Sequence, residues 1–166
     1  MSVALEVREM WQRKRFHLGG GAAPALLFLA LGCLLGAAGR PSLAAEPFVV
    51  IVNAGNPVSA VAGDQLSSLF LKKLTQWSGG LPALPVDLPA DSPVRDSFSR
   101  QVHHKGTSAV KAYWQQMIFS GREVPPPEKA TAREVVSFVS ANRGAVGYVP
   151  AGTALGADVK TVDVKP

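Results

Sequence analysis

The sequence predicts an α/β fold in which a mixed sheet is flanked by helices. The segment FVVIV at 48–52 is a continuous run of β-branched and apolar residues, the pattern of a strand buried on both faces. Segments with apolar residues at helical spacing follow it, and two further strand patterns, GAVGYV and VKTVDV, close the chain. Strands and helices that interleave along a chain are typical of layered α/β folds.

Helical signals account for most of the middle of the chain. Apolar residues at i, i+3 and i+4 predict a helix over about 63–71, which the glycine pair at 79–80 follows. Ser92 before a proline predicts an N-cap and a helix that ends near 104–106, and Thr107 is a second candidate cap. The helix that Thr107 opens carries one apolar face, formed by Val110, Tyr113, Trp114, Met117 and Ile118.

The remaining segments predict short strands, an extended linker and a last helix. LPVDLP at 84–89 has room for one short strand between prolines. REVPPPEKA at 122–130 cannot be helical, because consecutive prolines lack amide hydrogens. Thr131 and Glu134 form a capping box ahead of an apolar helix face. The strand at 144–149 has glycines where another backbone must come close, and the last strand covers 159–164.

The first 45 residues differ from the rest in composition. Basic residues are concentrated near the N-terminus, and a stretch without charge runs from Leu18 to Gly39. The small-residue segment SLAAE at 42–46 fits an A-x-A-like cleavage pattern. We therefore predict a secretory signal peptide over 1–45 and a mature domain over 46–166 that is periplasmic or secreted.

Two alternatives for this leader stay open. The uncharged stretch is long enough for an uncleaved membrane anchor. Cys33, the single cysteine of the chain, follows LALG and also permits a lipoprotein. In each case the export signal is the only predicted contact with a membrane.

Composition excludes several classes of function for residues 46–166. These residues contain 12 Lys and Arg against 10 Asp and Glu, so the charge is too balanced to predict a nucleic-acid partner. They contain no cysteine, which excludes a disulfide, a thiolate nucleophile and a cysteine metal site. His103 and His104 are adjacent, point about 100° apart on a helix, and predict a solvated helix end and no metal site. Without a nucleophile signature we predict no enzyme activity, no catalytic residue and no cofactor.

Three segments in order resemble the periplasmic phosphate-binding proteins of ABC importers, in the type II periplasmic-binding-protein superfamily. SSLFLKKLTQW at 67–77 is similar to a helix-plus-turn IFLGK that a tryptophan follows. Phe98, Tyr113 and Trp114, with FSG at 119–121, form the second segment, and VSFVSANRGAVGYV at 136–149 forms the third. The resemblance covers nearly the whole of 46–166, and it makes Trp77 a core plug in the turn.

The resemblance implies one lobe of that fold and a role in binding phosphate or a related small oxyanion, or as an accessory to an ABC uptake system. It implies an anion site at the helix start, with the Ser92 hydroxyl, the Val94 amide, and the amide and guanidinium of Arg95 as contacts. Because one lobe gives one wall of a cleft, an ABC permease or a homodimer would supply the other.

A different interpretation stays open beside it. Ser92 is then a plain N-cap, and Arg95 is an exposed pairing partner of a neighbouring acid. The chain is in that case an interaction or structural module of the cell envelope that keeps the fold without a ligand.

Overall fold

The computed structural model describes residues 45–166, which form a mixed five-stranded sheet with helices packed on it. The strand order is β2-β5-β1-β4-β3. The central strand β1 is antiparallel to β4 and β5, while the outer strands β2 and β3 run parallel to β5 and β4. The bounds are β1 Phe48–Asn53, β2 Ala60–Ala62, β3 Leu84–Pro85, β4 Ala145–Pro150 and β5 Val159–Lys165. The predicted α/β class with a mixed sheet is confirmed.

The predicted helices are present with small changes at their ends. They are α1 Gly63–Phe70, α2 Pro93–Val102, α3 Thr107–Phe119 and α4 Ala132–Ala141. The second helix ends before the predicted 104–106, because His104 takes the left-handed φ of 53°. Thr107 is the first helical residue of α3, and Gly106 is its N-cap. None of the helices within 45–166 is long and apolar enough to cross a membrane.

Two adjacent residues of β4 show how helices cover both faces of the sheet. A Cβ added at Gly147 would lie 2.7 Å from Val135 of α4, so this face carries α4. The next side chain, Tyr148, points to the opposite face. There its ring stacks on Phe98 of α2 at 3.9 Å and lies 5.8 Å from Phe70 of α1. The sheet is therefore the middle layer between α4 and the pair α1 and α2.

The turn after α1 is held by Trp77, which is 3% exposed as the core-plug hypothesis predicts. Its indole nitrogen donates a hydrogen bond of 3.0 Å to the Gly144 carbonyl. The glycine pair that follows has φ of 114° and 84°, values that L side chains rarely adopt. A Cβ at Gly144 would overlap the backbone carbonyl of Pro82, which confirms the predicted close approach of a second backbone.

The predicted apolar face of α3 is correct in its centre and wrong at its end. Trp114 is 5% exposed and packs in a small cluster with Leu71 and Val110. Ile118 is 50% exposed and Phe119 is 90% exposed. Among the described elements the helix packs mainly on α2, and its last two residues are left largely uncovered.

His103 corrects the expectation of a solvated histidine pair. His104 is exposed, but His103 is 8% exposed and its ring packs edge-on against Phe98 at 5.3 Å. Its Nδ1 lies 2.9 Å from the Ser67 hydroxyl. Burial, aided by the charge of Arg95, lowers the pKa of His103 from 6.5 to about 4. A helix end does not guarantee exposure here, because α1 covers it.

This burial predicts a loss of stability in mild acid. Below about pH 6.5 the unfolded chain protonates His103, while the folded chain keeps the ring neutral down to about pH 4. The buried, neutral ring of His103 therefore makes its full contribution to stability above about pH 6.5. About 3 kcal/mol of the free energy of unfolding is lost as the pH falls to 4. Urea unfolding across this range should show a smaller loss for His103→Gln than for wild type, while His104→Asn follows wild type. Equal pH profiles for His103→Gln and wild type would contradict the assignment.

Candidate functional site

The start of α2 is built as the sequence predicts. Ser92 is the N-cap, and its hydroxyl accepts a hydrogen bond of 3.4 Å from the Arg95 amide. Pro93 has no amide hydrogen, and the next amide, Val94 N–H, meets no acceptor within residues 45–166. The first turn thus brings Ser92, Val94 and the Arg95 amide together and leaves one N–H unbonded.

The Arg95 side chain leaves this turn and enters a buried polar cluster. The residue is 7% exposed. Its Nη2 lies 3.0 Å from Asp87 Oδ2, and its Nη1 donates to the Leu88 carbonyl at 2.6 Å and to the Glu128 carboxylate. The guanidinium is therefore paired with two acids, as the second interpretation expects, but Arg95 is buried where that interpretation made it exposed.

Asp87 is the inner of the two acids. It is 6% exposed, and its Oδ1 accepts from the Leu88 amide at 3.0 Å and from the Tyr148 hydroxyl. Burial raises the pKa of Asp87, and the charge of Arg95 only partly offsets this. Burial also raises the pKa of the Tyr148 hydroxyl, which keeps it a proton donor. Asp87, Tyr148 and Arg95 form one hydrogen-bonded unit between α2 and β4.

Glu128 is the outer acid, and it comes from the proline-rich segment. Its side chain is 49% exposed. The backbone around it is tied to Asp87, whose amide donates to Pro127 O at 3.0 Å and whose carbonyl accepts from Lys129 N at 2.9 Å. This partner was not predicted, because no local pattern links a loop glutamate to an arginine 33 residues away.

Two cavities among residues 45–166 lie away from the candidate site. A cavity of 230 Å³ lies between the end of α1, β3 and the proline-rich segment, and another of 730 Å³ lies beside β5. Neither of these two cavities is lined by Ser92, Val94 or Arg95. No group of three or more His, Cys, Asp or Glu in the described part of the chain is arranged to hold a metal ion. Anion binding at the start of α2 stays a prediction.

Comparison with solved structures places the fold. The chain superimposes with a TM-score of 0.56 and 21% identity on a protein from Clostridium perfringens assigned as a phosphate ABC transporter substrate-binding protein, solved with bound phosphate. It superimposes with a TM-score of 0.54 and 22% identity on an ABC-type phosphate transport receptor from Vibrio cholerae. These matches cover 70% and 69% of this chain but 44% of each of the two solved chains. At this identity the likeness shows the fold, and the chain spans less than half the length of these proteins.

Sequence comparison gives the family. No curated protein matches the chain. The family model described as a PBP superfamily domain matches residues 38–165, which include all five strands and four helices named above. The resemblance seen in the sequence is thereby confirmed, and the chain belongs to the PBP, or periplasmic-binding-protein, superfamily domain family.

Proposed function

We propose that this protein is an exported solute-binding domain that takes phosphate or a related small oxyanion at the start of α2, as a single-lobe component of an ABC uptake system. One observation carries the proposal. The guanidinium of Arg95, in the first turn of α2, already holds the oxygen anion of a half-exposed carboxylate, that of Glu128. A phosphate or sulfate oxygen offers the same acceptor chemistry.

The local physics of the helix start supports an anion there. A helix N-terminus combines free N–H groups with the positive end of the helix dipole. The Val94 amide is such a free donor, and the Ser92 hydroxyl lies in the same turn. Phosphate is the ligand of the Clostridium perfringens protein with the same fold, which makes a tetrahedral oxyanion the first ligand to test.

The position of the site, away from the two cavities, supports a second wall that comes from elsewhere. Small-molecule sites enclose most of their ligand, whereas the start of α2 borders neither of the two cavities described above. We propose an ABC permease or a second copy of the chain as the source of that wall. The leader predicted over 1–45 supports export, and all of it except residue 45 lies outside the described residues.

Calorimetric titration with phosphate and with sulfate tests the proposal. The protein is purified in the form that cells accumulate, with its N-terminus determined by mass spectrometry and expected near residue 45 or 46. We expect saturable binding that weakens about tenfold in Ser92→Ala, the effect of losing a hydrogen bond to a charged group. Thr131→Ala is the matched control, because Thr131 caps α4 through the same kind of bond to the Glu134 amide.

Two results of this titration would contradict the proposal. Equal binding by wild type and Ser92→Ala would place the anion site elsewhere. No saturable binding of either anion, by wild type or by a variant that lacks the Glu128 carboxylate, would remove the oxyanion function.

A second candidate function is an interaction module of the cell envelope without a ligand. It is favoured by exposed apolar side chains at the end of α3 and in the proline-rich segment that follows, where Ile118, Phe119 and Val124 are 50%, 90% and 60% exposed. Exposed apolar clusters of this kind mark contact sites between proteins. This candidate predicts that neither phosphate nor sulfate binds to wild type or to any variant in the titrations.

A further inference from the structure

We propose that the Glu128 carboxylate is an internal competitor that occupies the anion position on Arg95, and that a ligand binds by displacing it. This inference rests on the proposed oxyanion function. It assigns to Glu128 the role of setting the affinity of the site, a role that the resemblance does not give to any residue.

The two acids on Arg95 differ in how firmly they are held. Asp87 has an 8% exposed side chain and is fixed by the Leu88 amide, the Tyr148 hydroxyl and Arg95. Glu128 has a 49% exposed side chain, and Arg95 is its one partner among the side chains of residues 45–166. A half-exposed carboxylate regains hydration when it leaves, so its release costs far less than that of a buried one. Glu128 is therefore the acid that a ligand can replace.

Displacement needs a change of rotamer and no opening of the segment. The backbone next to Glu128 is fixed to Asp87 by hydrogen bonds of 3.0 and 2.9 Å on either side. The glutamate side chain has three rotatable bonds, and exposed side chains change rotamer within nanoseconds. The segment can keep its place while the carboxylate swings into solvent.

The charges of Arg95, Asp87 and Glu128 explain how the displacement of Glu128 changes the affinity for an anion. With Glu128 in place, one guanidinium faces two carboxylates, and a further anion meets net repulsion. With Glu128 turned away, the charges of Arg95 and Asp87 balance. Nη1 keeps its bond to the Leu88 carbonyl and has one hydrogen free for a ligand on the side that Glu128 now covers. Glu128 thus screens Arg95 from weakly binding anions until a stronger acceptor is present.

Phosphate titrations of wild type, Glu128→Gln and Glu128→Ala test this. We expect Glu128→Ala to bind phosphate at least about tenfold more tightly than wild type. Glu128→Gln keeps an oxygen acceptor without the charge, so its affinity should fall between the two. Glu123→Gln is the matched control, since Glu123 is an acid of the same segment paired with Lys72 at 3.5 Å, away from Arg95, and it should bind like wild type.

A readout on unmodified protein completes the test. The ¹³C signal of the Glu128 carboxylate should move toward that of a free glutamate as phosphate is added. Equal affinities for wild type and Glu128→Ala, with an unmoved signal, would overturn the inference and leave the proposed function standing. No phosphate binding by wild type or by any of these variants would contradict both the proposed function and this inference.

Discussion

Replacing Arg95 with alanine is expected to lower the free energy of unfolding by about 3 to 5 kcal/mol, the cost of breaking a buried ion pair from one side. The substitution leaves Asp87 at 6% exposure without its cation, while Tyr148 and the Leu88 amide remain as neutral donors. Two neutral donors do not compensate a buried charge as a cation does. Urea unfolding at pH 7 measures the loss.

The pH dependence of this loss identifies its cause. Burial already raises the pKa of Asp87, and removing Arg95 raises it further. A raised pKa in the folded state means that the folded protein binds the proton more readily than the unfolded chain, so the variant regains stability as the pH falls through that pKa. The deficit relative to wild type should therefore be largest at neutral pH and should shrink in acid.

Two further variants separate charge from packing. Arg100 lies on the same helix and pairs with Asp96 at the surface, so Arg100→Ala should change stability little. Arg95→Met combined with Asp87→Leu removes both charges and should be more stable than Arg95→Ala. A loss for Arg95→Ala no larger than that for Arg100→Ala would show that the buried pair does not stabilise the fold.

Trp77→Ala is expected to lower the free energy of unfolding by about 3 to 5 kcal/mol, as large-to-small aromatic substitutions in cores do. The side chain is 3% exposed and belongs to the main apolar core. Its removal leaves a cavity between the turn after α1 and β4. Thermal and urea unfolding give the magnitude.

Trp77→Phe is the control, because phenylalanine fills most of the space and lacks only the indole donor. Its cost should be about 1 kcal/mol, since the Gly144 carbonyl also accepts from the Leu84 amide at 3.0 Å. An equal loss for both variants would assign the stability to the hydrogen bond, against the packing argument.

The sequence predicted the parts of the fold that depend on interactions within a few residues. The β-branched run at 48–52, the N-caps Ser92 and Thr131 and the glycines at 79–80 each act over a few residues. The strand β2 was not predicted, because its three residues include two alanines and it exists by pairing with β5. LPVDLP formed a strand of two residues only, since its prolines limit the ladder to β4.

The candidate site depended on contacts that no local pattern contains. The sequence placed Ser92, Val94 and Arg95 in one helical turn, where they are. It did not show that the Arg95 side chain enters the core. Asp87 and Glu128 contact Arg95 because the segment after β3 and the proline-rich segment pack beside α2. The burial of His103 has the same origin, since it follows from how α1 and α2 pack.

The backbone of Gly144 contacts three other parts of the chain. Its carbonyl accepts from the Trp77 indole and from the Leu84 amide, and its Cα lies against the Pro82 carbonyl. An inserted or deleted residue in the turn between α1 and β3 would shift both donors out of register with one fixed acceptor. The length of that turn is therefore constrained, and a loop grafted from another protein would keep both hydrogen bonds only if it carried a tryptophan at the same distance from β3.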